Sequence, residues 1–342
     1  HGLAPDDANL GFSDLLVPGM GLAPVTEFQI LITLFVLVIG PLNYFLLKRW
    51  RRLHLMVLTV PLAAAVVTLS LFSYAIVADG FGTTVRAHSY TTVNQRTGES
   101  ACWARLSYYS GVSPRGGLTM PVDVAMYPII PDWSANSINA YVNSERHLTW
   151  EPEEAKLTRG WLRSRTPTQY LTVRARKSPI RLELTPVRDR MRVKNSLSTR
   201  VEYLVVADEA NKLWSTDKLE NGVTKFLEPV KREAAVSRFR KMVTSNAPQP
   251  PEALAGDSRY SASQRRQWQM FRGRYAQYGT EQTLQANLAN EAIARLAGTD
   301  GKEGLELAPR SYVAVSATGP EIVYGMPGVE EQASFHVIVG EW

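Results

Sequence analysis

Cysteine is nearly absent: Cys102 is the only one in the chain. No intrachain disulfide can form, which excludes a small secreted module held together by bridges. Histidine is sparse and scattered. His1, His54, His88, His147 and His336 show no i, i+4 pair and no adjacency to a cysteine or carboxylate cluster, so no metal site is legible. His88 and His336 fall in predicted strands and read as solvent-facing or edge residues. No glycine-rich phosphate loop follows a predicted strand, so nothing supports nucleotide binding. Ser215-Thr216-Asp217-Lys218 formally matches a Ser-x-x-Lys pattern. It sits in a strand-to-turn context without a Lys-Thr-Gly partner element, so it is not read as a nucleophile. Cys102 alternates with Trp103 inside a predicted strand, as a buried structural thiol would. No catalytic residue, metal or cofactor is expected, and the chain reads as non-enzymatic.

Charge is missing where it matters most. Two apolar runs, Phe28 to Leu47 and Leu55 to Ala78, contain no Asp, Glu, Lys or Arg. Each supplies the roughly 20 residues that a helix needs to cross a hydrocarbon core about 30 Å thick. Only Lys48-Arg49-Trp50-Arg51-Arg52-Leu53-His54 separates them. The pattern predicts a membrane hairpin rather than a buried helical pair of a soluble core, which rarely runs so long without a charge. With no ionisable group at depth, a proton or ion path is not expected.

Lys48, Arg49, Arg51 and Arg52 crowd the connection, whereas Asp6, Asp7, Asp14 and Glu27 precede the first run. The connection is therefore expected on the cytoplasmic side, with both termini and the main domain outside. The chain opens His1-Gly2-Leu3 without a secretory leader pattern before the first run, so a longer precursor is expected. Within the first run, Gly40-Pro41-Leu42-Asn43-Tyr44 places a helix breaker and an amide at membrane depth. Pro41 should kink the helix, and the freed carbonyls need partners. Two readings stay open: Gly40, Pro41, Asn43 and Tyr44, with Pro61, dock a second membrane subunit, or Asn43 and Gly40 pack inside the hairpin against Pro61, Ala63, Ala64 and Ala65.

The segments FVLVIGPLNYFLLKRWRRLHLMVLTVPL and SYAIVADGFGTTVRAHSYTTVNQRTGESACWARLSYYSG resemble a group of poorly characterised bacterial envelope proteins, best represented in planctomycete-like bacteria. The resemblance covers about a third of the chain and is most specific at the Gly-Pro-x-Asn-Tyr hairpin. It implies a two-span anchor beside an extracytoplasmic β-rich region, and it brings no catalytic residue.

After the hairpin, about 260 residues remain, enough for one large domain or two small ones. Residues 80–228 are expected to form an immunoglobulin-like β-sandwich. Its strands are Val85 to Val93 paired with Ala101 to Tyr109, Leu118 to Ile130, Tyr170 to Arg176, Ile180 to Pro186, Met191 to Val193, Val201 to Ala207, and further strands through Leu227. A polar corner falls at Asn195-Ser196, and 132–165 reads as irregular. Residues 229–300 should add a small helical layer with a Pro-rich linker at 244–260. Its helices present Val230, Ala234, Phe239 and Val243, then Trp268, Phe271, Tyr275 and Tyr278, then Leu284, Leu288, Ala292 and Leu296. Residues 301–342 hold two strands, Ser311 to Ala317 and Ser334 to Val339, the latter returning to the sheet.

The basic face Lys231, Arg232, Arg238, Arg240 and Lys241 is either a contact for anionic lipid or an acidic partner, or a solvated face with internal ion pairs. The fold class expected is thus a membrane-anchored α+β protein: segment 1–26, hairpin 27–79, sandwich, helical layer and returning strands. As a function, the sequence predicts a scaffold or assembly subunit of an inner-membrane complex in a bacterial envelope. The alternatives are the anchored part of an envelope hydrolase or regulator whose active domain lies upstream of His1, or an accessory subunit of a respiratory or transport complex. The expected partners are the bilayer and other membrane subunits. Homo-oligomers stay open, and nucleic acid is excluded because no recognition module accompanies the charge.

Overall fold

The computed structural model describes residues 12–19, 25–51, 53–79, 82–114, 116–129, 147–247, 284–298 and 304–342. The apolar runs form helices α1 (Val25–Leu37), α2 (Asn43–Arg49) and α3 (Met56–Asp79). Two helical stretches, Gln29–Arg49 and Leu53–Ser70, are long and apolar enough to cross a membrane. Their apolar side chains are open: Ile30, Leu34, Phe45, Val57, Leu62 and Leu69 are all at least 60% exposed. A soluble core helix would bury this face. The helix changes gear at Pro41, as its breaker predicts. Val38–Leu42 is a π-turn, and the Asn43 N–H donates to the Val38 carbonyl, one residue further back than in an α-helix. At the connection Arg51 takes φ +55°, the left-handed conformation that ends a helix, and its N–H donates to the Lys48 carbonyl.

Beyond residue 82 the chain builds a 12-stranded mixed sheet. Its strands are β1 (Thr83–Asn94), β2 (Glu99–Ser110), β4 (Val124–Ile129), β7 (Thr168–Lys177), β8 (Arg181–Val187), β9 (Arg190–Ser196), β10 (Val201–Ala207), β11 (Leu213–Leu219), β12 (Thr224–Pro229), β13 (Ser311–Ser316), β14 (Val329–Glu331) and β15 (Phe335–Glu341). The order is β4-β7-β2-β1-β15-β13-β10-β11-β12-β9-β8, with β14 beside the start of β1. A separate three-stranded sheet joins β3 (Leu118–Pro121), β6 (Glu154–Arg159) and β5 (His147–Trp150).

This corrects the immunoglobulin-like expectation. The C-terminal strand β15 inserts parallel to β1, His88 opposite Phe335 through Asn94 opposite Glu341, and joins two antiparallel halves into one sheet. An immunoglobulin-like sandwich would instead keep two facing antiparallel sheets. Cover comes from both sides. β11 and β12 share only two residue pairs before β12 turns to β9. The β8-β9-β12 flap then lays Ile180, Leu182, Met191, Val193 and Leu227 on Leu204, Val206, Ala314 and Ile338. Tyr312 lies there directly opposite Gly340, where a Cβ would collide with its ring. On the same face the small sheet places Leu118, Met120 and Leu157 over Val85, Ala104, Leu106 and Tyr108.

The opposite face carries α4 (Arg232–Ser245) and α5 (Leu284–Ala297), which bury Ala235, Phe239, Val243, Ile293 and Ala297 against Val205, Val313, Val315 and Val337. In α4 Phe239 and Val243 are buried as expected, with Ala235 in place of Ala234, whereas in α5 the buried face is Ala289, Ile293 and Ala297, one residue on from the expected Leu288, Ala292 and Leu296. The helix predicted around Trp268 to Tyr278 lies outside the described residues. The span 118–130 is two strands rather than one, broken by the turn at 122 and 123, and 147–159 holds strands β5 and β6 where irregular chain was expected.

Candidate functional site

The hairpin and its two connections to the domain are where sequence and structure converge. Asn43 Nδ2 donates to Thr59 Oγ1 at 3.0 Å, linking α2 to α3. In a low-dielectric surrounding such a bond is retained because the alternative is an unpaired amide. Asn43 thus makes a hairpin-internal contact. Gly40 does not: a Cβ there would meet nothing within 4 Å. Pro41 and Tyr44 are exposed beside it, so Gly40, Pro41 and Tyr44 form an open surface, while Pro61 lies within α3 two residues beyond Thr59. In the basic connection, Lys48 Nζ stands 5.7 Å from the Tyr44 ring centre. Lys48, Arg49 and Arg51 sit at the end of α2 with the exposed Trp50, and Arg52 lies outside the described residues.

The segment before the hairpin is tied to the strands that follow it, a link invisible in the sequence pattern. A short 3₁₀ turn, Ser13–Leu15, forms a strap. Phe12 and Leu16 pack with Ile129, Leu171 and Val173, on the face of β4 and β7 opposite the small sheet. Arg86 on β1 donates from Nη1 to the carbonyls of Leu16 (3.0 Å) and Asp14 (3.3 Å). Arg105 on β2 holds Gln169 Oε1 with Nε at 2.9 Å and Nη2 at 2.6 Å. Gln169 Nε2 in turn donates to the Phe12 carbonyl at 2.8 Å. Burial pushes the Arg105 guanidinium down to about 10, against the pull of the Asp14 carboxylate, so it stays charged at neutral pH. The same desolvation lowers Arg86, again opposed by Asp14. Arg86 therefore holds the strap backbone directly, and Arg105 holds it through Gln169.

The expected cationic face on α4 divides. Arg240 Nε and Nη2 donate to the Ala297 and Gly298 carbonyls at 2.9 and 3.2 Å, capping the C-terminus of α5. Arg232 Nη1 donates to the Leu305 carbonyl at 2.7 Å, and Arg238 pairs with Asp217 at 2.7 Å over the Tyr203 ring. Three of its five cations are thus engaged within the domain, and Lys231 and Lys241 are exposed.

His88 and His336 are not surface residues. Both are 1% exposed, because β1 and β15 are central strands covered on both faces. His336 anchors a polar chain: Nδ1 lies 2.8 Å from Ser89 Oγ, and Nε2 lies 2.7 Å from Glu331 Oε1. The connectivity is that of a nucleophile, base and acid. Ser89, however, is fully buried in mid-strand, and none of the three lines the cavity at the far end of β1 or the one beside Tyr324. No substrate carbonyl can reach it, so the chain is a strut joining β1, β15 and β14. The strut has a pH signature. Burial raises the Glu331 carboxyl, but the bond from His336, then its charge, then Ser334 and Tyr324 outweigh this and hold it below its ordinary value. Its contribution is present above the unfolded carboxyl value of about 4.3 and is lost as pH falls through the lower folded one. Glu331→Gln should accordingly flatten the acid limb of a denaturation midpoint measured from pH 7 to pH 3, which a wild-type slope in the variant would refute.

The remaining sequence candidates carry no chemistry. Ser215 through Lys218 lies wholly within β11 rather than at a helix start. Cys102 is buried, and desolvation pushes its thiol up to about 11. Among the described residues no group of three or more His, Cys, Asp and Glu side chains could hold a metal ion. A cavity of about 670 Å³ opens at the end of β1 far from the hairpin, lined by Asn94, Glu99, Arg176, Lys177, Glu306 and Glu341 among others.

No family model and no curated protein matches the chain. Among solved structures, 53% of the chain is similar to 27% of Legionella pneumophila aminopeptidase A, solved in complex with aspartic acid, with 11% identity and a TM-score of 0.18. The chain thus spans about a quarter of that enzyme's length, and a likeness this slight carries no argument.

Proposed function

We propose that the chain is a non-enzymatic envelope protein, held in a bacterial inner membrane by its hairpin, that scaffolds or assembles with other membrane subunits. One observation carries the topology. The strap before the hairpin and the strands after it meet in a single buried cluster of Arg86, Arg105 and Gln169. A hairpin whose two ends are fastened to one domain enters and leaves the membrane on the same side, so its turn lies on the other. The basic residues Lys48, Arg49, Arg51 and Arg52 favour the cytoplasm for that turn, leaving the sheet extracytoplasmic.

The scaffold part of the reading rests on the open surface at Gly40, Pro41 and Tyr44, which the hairpin leaves uncovered. Small residues beside a helix distortion let a second membrane helix approach closely. Gentle-detergent purification should recover a membrane partner in fixed stoichiometry, and Gly40→Leu should release it while the domain melts unchanged. A lone chain, or a partner indifferent to Gly40→Leu, would overturn the assembly role.

A further inference from the structure

We infer that the outer face of the β8-β9-β12 flap is a docking surface for a second copy of this chain, and that it receives the acidic β5 to β6 turn of that copy. The inference deepens the assembly role proposed above. It rests on that reading for the anchoring of both copies in one bilayer, and it adds a contact separate from Gly40. The flap is a three-stranded layer with β9 in the middle. Met191 and Val193 point into the core, so the period of two sends Arg190, Arg192 and Lys194 outward. Strand pairing sets Phe226 of β12 and Thr185 of β8 beside Arg192, and Val187 beside Arg190. Phe226 is 46% exposed, and the Arg190 guanidinium stands 6.0 Å from its ring centre. Lys194 and Arg181 are engaged by Glu183, at 3.3 and 3.7 Å. Among the described residues Arg188, Arg190 and Arg192 make no ion pair. Even with Asp189 and Glu228 counted beside Glu183, these five cations leave the face positive.

The β5 to β6 turn has the opposite character. Glu151 and Glu153 are exposed and Glu154 is half-buried, and none of the three has an ion-pair partner among the described residues. The turn is fixed by the Glu151 N–H on the Glu154 carbonyl at 2.8 Å, and tied to the end of β3 by the Val122 N–H on the Glu153 carbonyl at 3.1 Å. Lys156 lies two residues beyond Glu154, and Asp123 is already paired with Arg174 at 2.8 Å, so carboxylates remain in excess. Beside them Trp150 is 70% and Val122 53% exposed. Outside the hairpin, Trp150 is the most exposed large apolar side chain among the described residues. Each surface thus sets an open aromatic ring among charges of one sign, and the two signs are opposite. Exposed Trp, Phe and Arg are the side chains that anchor protein interfaces, and complementary charge around them aligns the partners. Exposed ion pairs bind weakly in dilute solution, and confinement of both copies to one bilayer raises their effective concentration.

The test uses the full chain in bacterial membranes. Two variants, Val122→Cys beside the acidic turn and Thr185→Cys on the flap, are expressed together and treated with a short bismaleimide. Native Cys102 is buried and stays unreacted. A cross-linked product of two chains should form when both variants are present and not from either alone. Arg190→Glu with Arg192→Glu should cut that product by about tenfold, and so should Glu151→Lys with Glu153→Lys, each in a protein that melts normally. A chain carrying all four reversals should regain it, because the charges are again opposite. High salt should weaken the product in the wild-type background. Equal product from each cysteine variant alone, or product indifferent to both reversals, would overturn the inference. Gly40→Leu should leave the product intact. Loss of product in Gly40→Leu together with its survival in the reversals would overturn this contact and leave the assembly role of the hairpin standing.

Discussion

Arg105→Ala is expected to destabilise the domain by about 3–5 kcal/mol and to free the strap, the range for removing one partner of a buried charge network. Arg105 is 2% exposed and fully committed, with its fork on Gln169 and its charge facing Asp14. Alanine would leave the Gln169 amide oxygen buried without its donors and remove one of the two guanidinium groups that face Asp14, while opening a cavity the size of a guanidinium. Because Gln169 also holds the Phe12 carbonyl, the damage should spread to the strap. Two readouts should move together: the denaturation midpoint in detergent should fall, and proteolysis should appear near Pro18. Arg105→Lys keeps the charge and loses the fork, so it should fall between the two. A normal midpoint in Arg105→Ala would mean that the strap is held by Phe12 and Leu16 alone.

Asn195→Ala should be nearly as costly, about 3 kcal/mol. The side chain is fully buried at the end of β9. It donates to the Thr199 carbonyl at 2.8 Å and the Leu219 carbonyl at 3.0 Å, and accepts from the Leu197 N–H at 3.0 Å. Alanine would orphan three backbone groups beyond the reach of water, each costing about 1–3 kcal/mol with incomplete additivity. The β8-β9-β12 flap should loosen first, since this corner fixes its entry into β10. Hydrogen exchange should show faster exchange at Met191 and Val193 than in the wild type, and unchanged protection there would refute the assignment.

Asn195 also marks how far the sequence could be read. A polar corner between alternating strands was legible because the asparagine interrupts a period-two pattern, and its neighbours behave as that pattern demands. β1 and β2 were legible for the same reason, and the helical hairpin because its apolar runs exceed any soluble need. The parallel pairing of β15 with β1 was not legible. It joins His336 to Ser89 across 247 residues, and no local propensity encodes a partner so distant. Hence local pattern alone predicts a sandwich, and places two core histidines at the surface. β5 escaped because its residues are all exposed and show no alternation to read. The strap escaped because three residues of 3₁₀ turn carry no periodicity, and its arginines look like surface charge until the fold buries them.

The central claim is that strap and sheet share one side of the membrane and the basic turn faces the other. Thiol labelling in spheroplasts with a membrane-impermeant maleimide tests it, using Pro18→Cys, Thr97→Cys and Trp50→Cys, which are exposed in the strap, sheet and turn. The account predicts modification at positions 18 and 97 in intact spheroplasts, and at position 50 only after permeabilisation. Labelling of 18 and 97 on opposite sides, or of all three together, would contradict it.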